Sequence, residues 1–145
     1  MKVHIMIGLP ASGKTTLAIE LQAYVLSSDK IRLELFGDES IQGDPKKIFD
    51  LLYQRMEEKL KEGRDVVVDA TNLNVRERSS AIKIAQKYGA VVIGHVMKTP
   101  IAVCIRRNDE RERKVPDEVY DRMLSRYETP TIEEGFDVIL CEQPE

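Results

Sequence analysis

Two kinds of apolar pattern alternate along this chain. Short, mainly apolar runs at residues 3–7, 24–27, 66–68, 90–96 and 136–140 predict five strands, and the unbroken Val66-Val67-Val68 suits a strand covered on both faces. Between them, apolar positions recur at helical steps. Ile48, Leu51, Leu52, Met56 and Leu60 make one stripe on a helix that Pro45 opens and Gly63 ends. A helix is predicted from the glycine-rich turn after the first strand to about Tyr24, and a brief one over 29–36, with Ser28 as its N-cap and Gly37 as its stop. Asn74 and Glu77 have the spacing of a capping pair, and Gly89 sits where that helix would end. Pro100 and Pro116 each open a further helix. Strands alternating with helices predict an α/β fold, a parallel sheet of about five strands with helices on both faces.

Length and charge narrow the picture. A chain of 145 residues that is 42% hydrophobic supports one domain over 1–145 with a single core. A net charge of −3 argues against a protein that holds nucleic acid along a diffuse basic surface, so such a substrate would have to be gripped locally. Cys104 and Cys141 are far apart and form no C-x-x-C pair, which suggests neither a disulfide framework nor a zinc site and fits a reducing cytoplasm. No run approaches the length of a membrane span, so no membrane partner is expected. The last 18 residues carry six acids and no bases, a pattern expected of a solvated edge.

The chemistry starts at the first strand-to-helix turn. Gly8-Leu9-Pro10-Ala11-Ser12-Gly13-Lys14-Thr15-Thr16 is a full match to G-x-x-x-x-G-K-[ST]. Its glycines let successive N–H groups point inward at phosphates, and the following helix offers its positive end. Lys14 is a point charge for the β and γ phosphates, and the Thr15 hydroxyl is a ligand for Mg²⁺. ATP and Mg are therefore the expected donor and ion. The D-x-x-G and N-K-x-D motifs of GTPases do not occur. A small kinase remains, its acceptor in the crevice at the carboxyl ends of the strands.

Three clusters could face that crevice. Asp29 and Arg32 are three apart on the short helix and share a face, a carboxylate able to take a hydroxyl proton beside a fork suited to phosphate. They equally fit a helix start and a surface charge. In Arg106-Arg107-Asn108-Asp109-Glu110-Arg111-Glu112-Arg113-Lys114, a helix continuing from Pro100 with Ile101, Cys104 and Ile105 buried puts Arg107 and Arg111 at roughly 70 to 110° from that face, at the edge of the cleft. They read as lid arginines or as a solvated face of local ion pairs. Asp69-Ala70-Thr71-Asn72 ends the third strand. Its Asp69 and Thr71 could serve Mg²⁺ waters or the acceptor, whereas Asn72 fits an Asx-type turn as well as an acceptor contact.

These motifs in this order resemble the polynucleotide 5′-hydroxyl kinase family, the phage end-healing kinases and the kinase modules of bacterial RNA-repair enzymes. The resemblance spans nearly the whole chain through Gly8 to Thr16, Ser27-Ser28-Asp29-Lys30-Ile31-Arg32, Asp69 to Asn74, and Arg106 to Arg111 followed by Val115-Pro116. It implies an ATP- and Mg-dependent transfer of phosphate to 5′-OH ends of DNA or RNA. Asp29 would be the general base, Arg32 would hold the 3′-side phosphate of the terminal nucleotide, and Arg107 and Arg111 would form a lid on the ATP phosphates. One departure is that Ala70 separates the acid from the Thr-Asn pair. The family's phosphatase and ligase modules do not occur in these residues. Two other readings stay open: a small-molecule kinase for a sugar, nucleoside or antibiotic, or a toxin of the same fold, and a non-catalytic nucleotide-binding regulatory module.

Overall fold

The computed structural model describes residues 1–38, 43–111 and 115–143. Five strands form one parallel sheet: β1 (Lys2–Ile7), β2 (Tyr24–Ser27), β3 (Val66–Asp69), β4 (Val91–Met97) and β5 (Val138–Glu142), in the spatial order β2-β3-β1-β4-β5. Every residue of β3 is buried, as a strand covered on both faces requires. Because β1 lies between β3 and β4, the chain leaves it first toward one edge and later builds toward the other. The crevice of such a sheet opens where that direction changes, at the carboxyl ends of β1 and β3.

Helices α2 (Ser28–Phe36), α3 (Pro45–Lys61) and α4 (Val75–Lys87) cover one face. Ile31, Ile48, Leu52, Met56, Ala81, Ile82 and Ala85 pack there on Val3, Ile5, Ile7 and Val68. The α3 stripe is thus the expected one, except that Leu51 is only half-buried. On the other face α1 (Lys14–Glu20) sets Ala18 against Met6, Val67 and Met97. Helices α5 (Ile101–Glu110) and α6 (Asp117–Arg126) follow β4, and a short 3₁₀ turn over Ile132–Glu134 precedes β5.

Several boundaries differ from expectation. Helix α1 stops at Glu20, well short of Tyr24, which already belongs to β2. The N-cap of α2 is Ser27, not Ser28: Ser27 Oγ accepts from the Lys30 N–H at 3.2 Å, and Ser28 is the first helical residue. The final strand lies later, at Val138–Glu142, while Phe136 plugs into the core.

The acidic C-terminal stretch is also more than a solvated edge. The wholly buried Arg78 of α4 donates through Nε and Nη2 to the Glu134 carboxylate at 2.8 and 3.1 Å. Its Nη1 donates to the Asn72 carbonyl at 2.9 Å and its Nη2 to the Glu128 carbonyl at 3.0 Å. One guanidinium fork therefore joins the turn after β3 to the segment that leads into β5, a use of Arg that the three-donor ammonium of Lys cannot copy. Among the described residues no helix is long and apolar enough to cross a membrane.

Candidate functional site

A cleft of about 650 Å³ opens at the carboxyl ends of the strands, lined at one end by Pro10, Ala11, Gly13, Lys14, Thr15 and Thr16. The turn that carries them is held at both sides. Gly8 N–H donates to the Thr71 carbonyl at 3.0 Å, and the Thr99 hydroxyl donates to the Ser12 carbonyl at 2.7 Å. A Cβ on Gly8 would lie 2.8 Å from Met97 Cβ and from Ser12 Oγ, so the strand end leaves room only for glycine. Ala11 (φ 62°) and Gly13 (φ 100°) take the left-handed conformation and turn the backbone so that it can ring an anion at the start of α1.

Lys14 is 8% exposed, and its Nζ donates to the Leu9 carbonyl at 2.8 Å. Burial lowers its pKa, opposed by the charges of Asp69 and Asp29. The buried Ser12 Oγ accepts and donates no hydrogen bond among the described residues. A cradle with one shielded cation and an unmatched hydroxyl fits a polyphosphate, which brings both charge and acceptor oxygens. Thr15 Oγ1 donates to Asp69 Oδ2 at 3.0 Å. Burial raises the Asp69 pKa, against the opposing pull of Lys14 and the Thr15 hydroxyl. These two oxygens are the hard ligand type that Mg²⁺ takes while it keeps waters and phosphates for its remaining positions. Thr15 and Asp69 fit such an ion, which would supply charge neutralisation between the donor phosphates.

Asp69 reaches this place by register. It pairs with Ser27 across β3 and β2, so the end of β2 delivers α2, with Asp29 and Arg32, beside the end of β3. Asp29 and Arg32 both line the cleft and are paired, Arg32 Nη1 donating to Asp29 Oδ1 at 2.7 Å. The Arg32 side chain is 13% exposed and its Nε has no hydrogen-bond partner among the described residues, which leaves one N–H of the fork unmatched. Thr71 also lines the cleft while its carbonyl secures Gly8.

Asn72 does not reach the cleft. Its amide is buried, donates to the Met6 carbonyl at 2.8 Å and the Ala70 carbonyl at 3.3 Å, and sits on backbone with φ 48°. Asn72 is a buried donor that ties the turn after β3 to β1, and its expected acceptor contact is withdrawn; the helix-capping role belongs to Asn74, whose Oδ1 accepts from the Glu77 N–H.

Arg107 and Arg111 both line the cleft, but by a different route from the one the helical pattern predicts. Helix α5 ends at Glu110, and Arg111 is extended backbone (φ −96°, ψ 157°), so no helical angle aims it. The buried side of α5 is centred on Cys104 and Asn108, with Ile101 and Ile105 half-buried. Asn108 aims Arg111: its Oδ1 accepts from Arg111 Nε at 3.1 Å and from Val115 N–H at 2.9 Å, and its Nδ2 donates to the Val115 carbonyl. Arg111 Nη2 is buried and unmatched among the described residues. Glu112, Arg113 and Lys114 of the charged run lie outside the described residues.

Residues with no signal in motif spacing complete the walls. Phe49 of α3, Glu77 of α4, and Val119, Met123 and Arg126 of α6 also line the cleft. Tyr120, fully buried, donates its hydroxyl to the Pro10 carbonyl at 2.9 Å and so anchors α6 on the phosphate turn; burial pushes its pKa up to about 12. Asn108 and Tyr120 were legible only as helix residues: Asn108 acts on the chain just past its own helix end, and Tyr120 through a contact across the fold.

A glycine turn between β1 and α1, a buried lysine, a hydroxyl–carboxylate pair and facing arginines define a kinase-type P-loop phosphotransferase. The chain belongs to the AAA domain family of the AAA_33 type, whose sequence profile matches residues 3–130. It is 26% identical over 140 residues to a bifunctional polynucleotide phosphatase/kinase of Schizosaccharomyces pombe, covering 93% of this chain and 32% of that one. It is 28% identical over 145 residues to an L-seryl-tRNA(Sec) kinase of Methanococcus maripaludis, covering 92% and 55%. The chain thus spans about a third to a half of these relatives. A structure of a Pnkp1/Rnl/Hen1 complex matches 73% of this chain and 38% of its own with a TM-score of 0.64 at 27% identity. Kti12 of Chaetomium thermophilum in complex with ADP-AlF3 shares the fold, with a TM-score of 0.75, 16% identity and coverage of 97% and 88%. The resemblance to polynucleotide kinases read from the motifs is therefore met by relatives of that kind, alongside kinases for other acceptors.

Proposed function

We propose that this domain transfers the γ-phosphoryl group of ATP, with Mg²⁺, to the 5′-hydroxyl end of DNA or RNA. The observation that carries this reading is the Asp29–Arg32 pair in the same cleft as Lys14, with an unmatched N–H on Arg32. An acid alone would serve any hydroxyl acceptor. A half-buried guanidinium beside it favours an acceptor that carries a phosphate next to the reacting hydroxyl, as every polynucleotide 5′ end does.

The roles follow from placement. The turn at 8–16 and Lys14 bind the donor phosphates, and Thr15 with Asp69 would hold Mg²⁺. Asp29 takes the proton of the attacking hydroxyl; ordinary carboxylate basicity suffices, because in a loose phosphoryl transfer the proton leaves late. Arg32 orients the acceptor phosphate. Arg107 and Arg111 face the donor phosphates, and the unmatched Nη2 of Arg111 is a donor for charge on the transferring group.

The test is transfer of label from ATP to 5′-OH DNA, 5′-OH RNA, a 3′-nucleotide and plain nucleosides. Acceptors with a 3′-side phosphate should be strongly preferred, and Arg32→Ala should remove that preference while changing nucleoside phosphorylation little. Equal use of a nucleoside or sugar would refute the assignment. It would favour instead the small-molecule kinase reading. ATP binding with no turnover on any acceptor would favour a regulatory module.

A further inference from the structure

The acceptor end of the cleft extends past Asp29 and Arg32 to a wall that the motifs do not mention. Phe49 and Glu77 come from α3 and α4, which share the α2 face of the sheet and lie on the side away from α1. Val119 and Met123 of α6 line the same cleft. Phe49, Val119 and Met123 are each half-buried, so the wall is apolar and open to the cleft.

Glu77 is the exception in that wall. Its Oε2 is out of reach of water and accepts no hydrogen bond among the described residues; only the Glu77 backbone is engaged, its N–H donating to Asn74 Oδ1 at 2.9 Å. A buried acceptor without a donor is rare in a native fold, and beside the cleft a ligand can supply the donor. The terminal torsion of a glutamate is broad, so either oxygen can turn to face the cleft.

We infer that Glu77 is a specificity-determining residue that accepts a hydrogen bond from an amino group on the base of the terminal acceptor nucleotide, whose ring lies against Phe49 and Met123. This rests on the polynucleotide acceptor proposed above. The chemistry selects the base over other parts of a nucleotide. A phosphate is repelled by the carboxylate and belongs with Arg32. A ribose has hydroxyl donors but no apolar faces. A base has two apolar faces and a polar edge, which is the combination the wall presents. Adenine, cytosine and guanine offer an amino group there. Uracil and thymine flank their N–H with carbonyl oxygens, which oppose a carboxylate.

The experiment compares two oligonucleotides identical except at the 5′-terminal residue, adenosine in one and purine riboside, which lacks only the amino group, in the other. The ratio of their kcat/KM values is measured in the full chain as wild type, Glu77→Gln and Glu77→Ala, so that any general loss of activity cancels. A hydrogen bond to a charged group predicts a ratio of about tenfold or more for the wild type. Glu77→Gln should keep part of it through its amide oxygen, and Glu77→Ala should bring it within about twofold of unity, on the logic that no acceptor remains. A wild-type ratio near one, or a ratio that persists in Glu77→Ala, overturns the inference while leaving 5′-end transfer intact. If neither oligonucleotide is phosphorylated while a base-free acceptor is, the polynucleotide reading and this inference fall together.

Discussion

Replacing Arg78 tests how far the site depends on a residue that never touches it. The guanidinium is fully buried, and its four hydrogen bonds reach the Glu134 carboxylate and the carbonyls of Asn72 and Glu128. In Arg78→Met the volume is roughly kept, but a carboxylate whose side chain is 6% exposed loses its cation and two carbonyls lose their donor. Removing one partner of a buried ion pair costs about 3–5 kcal/mol, because the remaining charge stays desolvated. For a domain of this size that lowers the melting midpoint by about 10–20 °C. Because the Asn72 carbonyl is one of the three anchors, the 69–72 turn loosens, and with it the Gly8 contact to Thr71. The assay is urea unfolding of the single variant beside Arg78→Met/Glu134→Leu. The pair removes the stranded charge, so it should recover at least half of the loss. A single variant within about 1 kcal/mol of wild type, the range of an exposed pair, would refute the claim that this pair anchors the turn.

Asp29→Asn should reduce transfer to a 5′-OH oligonucleotide by about 10² to 10⁴, the usual contribution of a general base; steady-state kinetics showing a loss of only a few-fold would remove Asp29 from that role. Asp69→Asn should cut turnover by about 10- to 100-fold, as for loss of a group that orients a metal site, and the fall should be partly relieved by raised Mg²⁺. Its melting midpoint at neutral pH should be equal to or above wild type. The folded-state pKa of Asp69 is raised, so its ionised form weakens the fold at pH values above the ordinary carboxylate range, and the amide removes that cost. A markedly lower midpoint would contradict this. A fourth expectation concerns His4, whose pKa is lowered by burial and by His95, with Asp65 opposing and Lys2 adding to the shift. The unfolded chain takes up this proton near 6.5 while the folded chain resists it to lower pH, so stability is held above that value and lost as pH falls below it. Urea midpoints from pH 7.5 to 5 should decline in the wild type and decline less in His4→Asn, and parallel profiles would refute the assignment.

What could be read from the chain, and what could not, divides along a physical line. The phosphate turn was legible because its roles are carried by backbone and by residues adjacent in sequence: Gly8 is required where a strand end meets Met97, and Lys14 follows Gly13 directly into α1. The α3 stripe and the Asn74 cap were legible for the same reason, since a helix brings i, i+3 and i+4 together whatever surrounds it. Asp29 and Arg32 shared a face by that rule, but their place in the same cleft as Lys14 needed the register that pairs Ser27 with Asp69 on two strands far apart in sequence. The errors share a cause. Asn72 looked like a site residue by its neighbours Asp69 and Thr71, yet its backbone at φ 48° turns the amide inward to Met6. Arg111 looked helical, yet Asn108 draws it off the helix end together with Val115. The acidic tail looked solvated because its partner, Arg78, is 56 residues earlier than Glu134. In each case a buried polar group had to be matched, Asn72 and Arg78 through the fold and Asn108 by the chain just beyond its helix, and in a dry interior that demand outweighs local propensity. The same demand makes Glu77 and Arg32 informative: each keeps a buried atom unmatched beside the cleft, where a ligand is the group able to complete it.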